Sequence, residues 1–421
     1  MRDTSTIEVD LGAVERNIRA IRRMVGGACA ICPILKADGY GMGAATVARP
    51  LSRAGCGMFA VYSLGEAIEL LAAGLEAPVL VLSPVRRWDD LRAIAPAVAA
   101  GRAHLAVHDL TQLRNLAALA GDVGGVMRLH LEIDTGMSRG GCGEWEAGAI
   151  MGEIARHPGL ALAGVATHFA SADSDEALTG AQMTRFEALL EAHRSAVGPD
   201  CAIHVANSFA TLRGRRFHRS MVRIGLAWTG HGPEWMRGGH CAGPGADDVA
   251  PVMRWTSRIV MMRAISPGTT VGYGAMWMAR RPTTLAVVPV GYADGYPMTL
   301  CTTDRRQGPA CVGVLDRHDE SAVRGYAPVV GAVSMDQLTI DVTDMVGRFG
   351  AAVGIETPVE LISREPARAG RPNHLAALAR AAGTIPHELL CRINPRIRRV
   401  YHEAALAVQT VESKPAVVAR A

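Results

Sequence analysis

The stretch PILKADGYG, residues 33–41, carries an apolar run straight into a glycine-rich turn, with Lys36 at the junction and Tyr40 four residues on. A strand that ends this way at the carboxyl rim of a barrel presents its lysine to a pocket rather than to bulk solvent. Apolar neighbours penalise the ammonium form, and an amine freed in this way can condense with an aldehyde. The plainer alternative is a surface lysine at a strand end that titrates normally. The remainder of the chain decides between the two.

Working outward, short apolar runs alternate with helical segments from about residue 30 to 226. The runs are AICPILK, GMFAVYS, APVLVLS, RAHLAVH, VMRLHLEID, LALAGVATH, CAIHVAN and SMVRIGL, and amphipathic stretches such as LGEAIELLAAG and DLTQLRNLAALAG follow them. Eight such units outline an α/β chain of the (β/α)8 TIM-barrel class, with the barrel spanning residues 10–240. Residues 229–250, dense in glycine and proline, form the exit from the barrel. Beyond it the pattern turns to β-branched strands: RWTSRIVMMRAI, TTLAVVPVGYA, APVVGAVSM, LTIDVTD and PVELIS, then the helix HLAALARAAG and a closing strand ELLCRINPRIRRVY. These predict a second, mostly β domain over 241–402, antiparallel for the most part, which the opening strand within residues 1–9 joins; a frayed tail fills 403–421.

Composition narrows the function classes. The chain has 421 residues, half of them hydrophobic (49%) and a fifth charged (20%), with a net charge of only +4, which argues against a nucleic-acid surface and for a small-molecule ligand. The start, MRDTSTIEVD, has no apolar core of signal-peptide length and no later run is long enough to cross a membrane, so a cytoplasmic location is expected. Nine cysteines at irregular spacing suit reduced thiols, and Cys29 and Cys32, three apart on a strand, read as core thiols. His231, His240 and Cys241 match no strong ligand spacing, and no metal is expected.

Mapped on the eight strands, the unusual polar residues gather at the carboxyl ends, where barrel enzymes keep their chemistry. Lys36 ends the first strand; the run DTGMSR, with Arg139, follows the fifth; His168 ends the sixth; Asn207 and Ser208 follow the seventh; Arg223 ends the eighth. Each has a bland reading as a core histidine, an ion pair or a helix cap. Their convergence on one rim is harder to explain that way. The loops after strands seven and eight, which commonly hold phosphate in barrels, offer the Ser208 hydroxyl and backbone N–H groups around Gly225 and Leu226. A lysine, a phosphate cradle and an arginine together suggest pyridoxal 5'-phosphate.

These parts, in this order, resemble the alanine racemase family of fold-type III pyridoxal-phosphate enzymes, through LKADGYG, DTGMSR, THFASAD, HVANS, RIGL, VGYG, VPVGYADGYP and VSMDQLTIDVTD. The resemblance implies that Lys36 holds the cofactor and exchanges the proton on one face of the substrate α-carbon, while Tyr273 of VGYG is the base on the other. It further implies that Tyr40, Ser208, Gly225 and Leu226 hold the phosphate with Asn207 nearby, and that His168 stands behind Tyr273. Arg139 and the Met335 backbone would receive the substrate carboxylate, with Tyr292 and Asp336 lining the entrance or standing behind the residues that touch the substrate. In the family the tyrosine reaches into the partner's barrel, which implies a head-to-tail homodimer with shared active sites. Several positions depart from the family pattern: Glu132 stands where many members have a carbamylated lysine that props the carboxylate-binding arginine, and it is expected to prop Arg139 in that lysine's place, directly or through a water; Gly39, Met42, Thr229, Ala332 and Pro395 also differ. The implied reaction is interconversion of L- and D-alanine. Alternatives are a racemase for serine or another small amino acid, a non-catalytic pyridoxal-phosphate carrier, and a decarboxylase of the same fold type.

Overall fold

The structure is a computed structural model that describes residues 4–236, 245–300, 310–366 and 369–403. Alternation along β1 (Ser5–Asp10) turns Ile7 and Val9 fully inward, and Asp10 ends the strand by capping the helix Leu11–Val25, its carboxylate accepting the Ala13 N–H at 2.8 Å. Eight strands then follow: β2 (Ala30–Pro33), β3 (Phe59–Val61), β4 (Val79–Val81), β5 (Ala103–Val107), β6 (Met127–Glu132), β7 (Leu160–Ala166), β8 (Ala202–His204) and β9 (Met221–Ile224). Each lies inside one of the eight apolar runs. Strands β3 to β8 pair in chain order, and β9 returns to pair parallel with β2, Ala30 opposite Met221 and Pro33 opposite Ile224. The ring is closed by the Ile34–Ala60 bridge on one side of this pair and by the Arg223 N–H bonded to Ala206 O at 2.9 Å on the other. The first unit is thus the expected (β/α)8 barrel.

The second unit contains β10 (Met253–Arg258), β11 (Met261–Ile265), β12 (Thr270–Val271), β13 (Trp277–Met278), β14 (Thr283–Val288), β15 (Cys311–Leu315), β16 (Val323–Pro328), β17 (Leu338–Asp341), β18 (Pro358–Ile362) and β19 (Arg398–His402). Its main sheet runs β16-β15-β18-β10-β1-β19, a second runs β11-β14-β17, and β12 and β13 form a small hairpin. Strand β1 is the bridge: antiparallel to β10, with Ile7 opposite Trp255, and parallel to β19, with Ile7 opposite Arg399. The chain therefore begins in the sheet that its last described strand completes.

Three local readings change. RWTSRIVMMRAI divides into β10 and β11 because the chain changes sheets there, Ile259 N–H bonding Thr357 O and Val260 N–H bonding Val287 O. APVVGAVSM leaves the strand at Pro328; Gly331 adopts φ +72°, and a side chain there would meet Val271 O at 2.7 Å, so Gly331 and Ala332 lie beside the VGYG segment while Ser334 and Met335 lie against Gly291. ELLCRINPRIRRVY is helical in its first half: Pro386 opens the helix Pro386–Arg392, and β19 begins only after Asn394 and Pro395. Of the tail expected to fray, residues 404–421 lie outside the described residues, as do His240 and Cys241. No helix among the described residues is long and apolar enough to cross a membrane.

Replacing Ile7 with alanine removes a fully buried side chain from β1, an interior strand of the six-stranded sheet. The cost should be about 2–5 kcal/mol in urea unfolding. A change below about 0.5 kcal/mol would show that β1 does not anchor the core.

Candidate active site

After β2 the backbone does something rare. Ala37 (φ 53°, ψ 49°), Asp38 (51°, 47°) and Gly39 (62°, 42°) are all left-handed, and Tyr40 follows at φ 57°. Left-handed geometry costs L-residues roughly 1–2 kcal/mol each, so the turn persists only because its surroundings impose it. Asp38 helps by accepting the Ala44 N–H at 2.7 Å, and Glu66 accepts the Ala37 N–H at 2.7 Å. The result places Lys36 and the buried Tyr40 on one side of a cavity of about 1150 Å³ at the barrel mouth. Burial, and then the Arg139 guanidinium, lower the Lys36 pKa below its ordinary value.

The opposite wall comes from the last two barrel strands. Asn207 caps the helix Ser208–Arg213, and Ser208 Oγ accepts the N–H groups of Gly225 at 2.9 Å and Ala227 at 3.1 Å. Gly225 has no alternative, since a Cβ there would sit 2.2 Å from the Tyr40 hydroxyl. Asn207, Ser208, Gly225 and Leu226 all line the cavity that holds Lys36 and Tyr40. This cluster of hydroxyls and backbone donors suits a phosphate, and its lysine suits an aldehyde. The residues present therefore fit pyridoxal phosphate.

Arg223 is buried at the floor. Its Nη2 donates to Thr167 O at 2.9 Å and to His168 Nδ1 at 3.2 Å, and its Nη1 donates to His204 Nδ1 at 2.8 Å. Because guanidinium only donates, it fixes every tautomer behind it. His204 carries its proton on Nε2 and passes it toward His130 Nδ1 at 2.9 Å; His130 Nε2–H in turn faces His104 Nδ1 at 2.9 Å, and His104 ends on the Gly101 backbone. Gly164 makes room, since a Cβ there would lie 2.2 Å from His130 Nδ1. Burial and, for His168, His204 and His130, the nearby Arg223 depress these rings: His168 and His130 to about 3, His204 well below its ordinary value. His104 falls to about 4 through burial and Arg128. All four are neutral at pH 7.

Arg139 and Glu132 line the same cavity from the β6 side. Asp134 shapes the loop by accepting the N–H groups of Gly136 and Met137 at 2.9 Å each and Ser138 at 3.0 Å. Among the described residues no ion pair joins Glu132 to Arg139, the arginine it is expected to prop, and the His108 ring stands close to Glu132, its Nδ1 3.9 Å from the carboxylate. That nitrogen already accepts the Gly141 N–H at 3.0 Å while Nε2 bonds Leu82 O, so His108 has no proton to give Glu132.

Several wall residues were not foreseen, two of them a histidine and a cysteine. His387 and Cys391 reach the cavity from the helix Pro386–Arg392, whose sequence read as part of a strand. The His387 ring stands 6.0 Å from that of Tyr40, burial lowers its pKa to about 4, and its buried Nδ1 has no partner among the described residues. Pro386 at the first helical position was the available signal. The remaining expected residues lie elsewhere. Tyr273, Tyr292, Met335 and Asp336 are not in this cavity; the Tyr292 N–H bonds Ser334 O and the Ala293 N–H bonds Met335 O, both at 3.0 Å, and Arg396 holds Asp336 at 2.7 Å. They belong to an exposed face on which Tyr273 is 76% and Met335 54% accessible. His231, Glu234 and His374 also converge, with ligand atoms within 4.8 Å of one another. His374 Nδ1 already accepts the Ala376 N–H at 3.3 Å, so a proton rather than a lone pair occupies its Nε2.

Residues 9–233 match the N-terminal domain model of alanine racemase, and residues 252–401 the C-terminal one. The chain belongs to the alanine racemase family. It is 36% identical over 409 residues to the alanine racemase of Sorangium cellulosum, covering 96% of this chain and 100% of that one. It is 34% identical over 400 residues to the alanine racemase of Desulfovibrio desulfuricans, covering 94% and 97%. Among solved structures, alanine racemase from D-cycloserine-producing Streptomyces lavendulae superposes with a TM-score of 0.81 at 28% identity, covering 96% and 98% of the two chains. Alanine racemase of Bartonella henselae, with covalently bound pyridoxal phosphate, gives 0.77 at 25% identity, covering 95% and 99%. As a family member the chain is an amino-acid racemase, an isomerase that works with pyridoxal phosphate.

The depressed histidines make stability depend on pH. Between pH 6.5 and 5 the unfolded chain gains protons on these rings and the folded chain does not, so stability falls as pH falls. Each ring contributes a slope of up to about 1.4 kcal/mol per pH unit. His104→Gln, which can still accept from His130, should make the urea-derived slope over that range shallower by up to this amount. An unchanged slope would mean that His104 is not held neutral.

Proposed function

We propose that the protein interconverts L- and D-alanine, with Lys36 and Tyr273 of the partner subunit as the two bases of a head-to-tail homodimer. The observation that carries this reading is the division of the candidate residues: Lys36 lines the cavity, while Tyr273 stands exposed on another face with Met276 and Met278 beside it in sequence and also exposed. A second copy of the chain brings the two together. When bound, pyridoxal phosphate spreads the electron pair left by α-proton removal into its ring. Lys36, its charge disfavoured by burial and by Arg139, is suited to hold the cofactor and to move the proton on one face. Tyr40, Ser208 and the Gly225 and Leu226 backbone would hold the phosphate, with Asn207 buttressing them. Arg223 would face the ring nitrogen as a donor that cannot lose its proton, which weakens the electron sink and favours prompt return of a proton to carbon over slower decarboxylation. His168, neutral with its proton on Nε2, lines the cavity beside Arg223 and would stand behind Tyr273.

Alanine is the substrate to which the named relatives point. Arg139 and the Met335 backbone would receive its carboxylate, and Tyr292 and Asp336 would border the way in. Cys29, Cys32, Cys56, Cys142, Cys201 and Cys391 are free thiols, consistent with a cytoplasmic setting. Chiral chromatography of D-product from L-alanine, beside L-serine and other small amino acids, tests the reaction and its specificity. Release of carbon dioxide, or no product at all, would overturn it.

Tyr273→Phe keeps the shape of the side chain but removes the acid–base group, and should lower racemisation about 10²- to 10⁴-fold. Mixing Lys36→Ala with Tyr273→Phe subunits should restore part of the activity, because one site of each hybrid regains both groups. No recovery after demonstrated subunit exchange would place both bases in one chain.

Glu132 shares the cavity with Arg139 without touching it, so its charge would act across space or through water. Glu132→Gln preserves volume and removes that charge. The apparent affinity for alanine should fall while cofactor retention persists, and bicarbonate should leave wild-type activity unchanged. Unaltered KM values for every accepted amino acid would remove Glu132 from the site.

A further inference from the structure

We propose that Glu66 is a positioning residue for Lys36: one carboxylate that locks the left-handed turn after β2 by tying it to the turn after β3. The inference rests on the assignment of Lys36 above but concerns a residue well outside the LKADGYG motif. Glu66 Oε1 accepts the Ala37 N–H at 2.7 Å, the first peptide after the lysine. Its other oxygen accepts the N–H groups of Tyr62 and Ser63, both at 2.9 Å. Three backbone donors from two barrel loops thus converge on a single charged acceptor, where hydrogen bonds are strongest.

Ordinary helix capping explains only part of this. Ser63 and Glu66 form a capping box at the start of the helix Leu64–Ala72, a reciprocal arrangement that needs just the Ser63 N–H and hydroxyl. Glu66 uses its spare oxygen on Ala37, at the start of a segment that no L-sequence adopts without strain. The barrel already joins these strands at the Ile34–Ala60 bridge and the Leu35 N–H to Ala60 O bond of 2.7 Å. Glu66 carries that registration one step further, past the end of the sheet, to the residue that follows Lys36. Its negative charge also faces the lysine and opposes the effect of Arg139 there.

Glu66→Gln retains the length but replaces one oxygen by a donor, so it can serve Ala37 or the Tyr62–Ser63 pair and not both. Amide hydrogen exchange of residues 37–41, measured on the cofactor-free protein, should accelerate about tenfold or more, with the barrel strands unchanged. In the loaded enzyme kcat should fall by a similar factor while KM for alanine moves less than about threefold, because the lysine is misplaced and the carboxylate site is intact. Ser63→Ala removes the capping hydroxyl and leaves the carboxylate, so it should lower the melting temperature yet keep wild-type exchange at 37–41 and wild-type kcat. Unchanged exchange in Glu66→Gln would overturn the proposal, and so would Ser63→Ala reproducing both effects, which would reduce Glu66 to a helix cap. Should Glu66→Gln not accumulate in folded form, Glu66→Asp, charged but too short to span both loops, decides by the same exchange measurement. Because the exchange arm needs neither cofactor nor turnover, it stands apart from the reading of Lys36, which fails instead if Lys36→Ala still racemises alanine.

Discussion

Much of the barrel interior is organised by one constraint: a guanidinium placed where water does not reach must find acceptors for its N–H groups. Arg223 meets this with the Thr167 carbonyl, His204 and His168. Unpaired, such a charge would be costly enough to unfold the region. Once satisfied, it dictates a direction. Each histidine behind it accepts on one nitrogen and must donate from the other, so the sequence His204, His130, His104 becomes a one-way file of neutral rings crossing strands β8, β6 and β5. A histidine in these positions is a polar member of the core first and a titrating group hardly at all. The glycine at 164, in the strand between them, follows from the same file.

The barrel was legible in the sequence because its strands are short and apolar, and most are followed by amphipathic helical segments. The rim residues followed from position alone, since the last polar residue of a parallel strand has one place to go. What the sequence hid was of two kinds. ELLCRIN alternates badly for a strand and weakly for a helix, and the decision fell to Pro386, whose preference for a first helical turn outweighed the β-branched residues downstream. The second kind was reach: Asp134 gathers the backbone between Glu132 and Arg139 into a tight turn, and among the described residues no ion pair joins the two side chains. Side-chain reach of that order cannot be read from spacing.

That misread helix matters for how the cavity is built. Its residues His387 and Cys391 come from the segment between β18 and β19 of the second domain and reach the barrel mouth, His387 beside Tyr40. The barrel therefore does not enclose its own site. One wall belongs to the helix Pro386–Arg392, and the Tyr273 face is exposed. An enzyme assembled in this way ties its chemistry to the correct seating of both domains, which a barrel with self-sufficient loops would not require.

The turn that follows Lys36 has one more consequence, and it concerns chirality. Its torsions at Ala37, φ 53° and ψ 49°, are nearly the mirror image of an ordinary right-handed helical residue. The steric clash that makes them costly exists only because Cβ sits on the L side of the backbone. A D-alanine built into position 37 by chemical ligation would occupy the same backbone without that clash and relieve roughly 1–2 kcal/mol. A protein of this family thus carries, next to its own lysine, a backbone site suited to the enantiomer of the residue it contains.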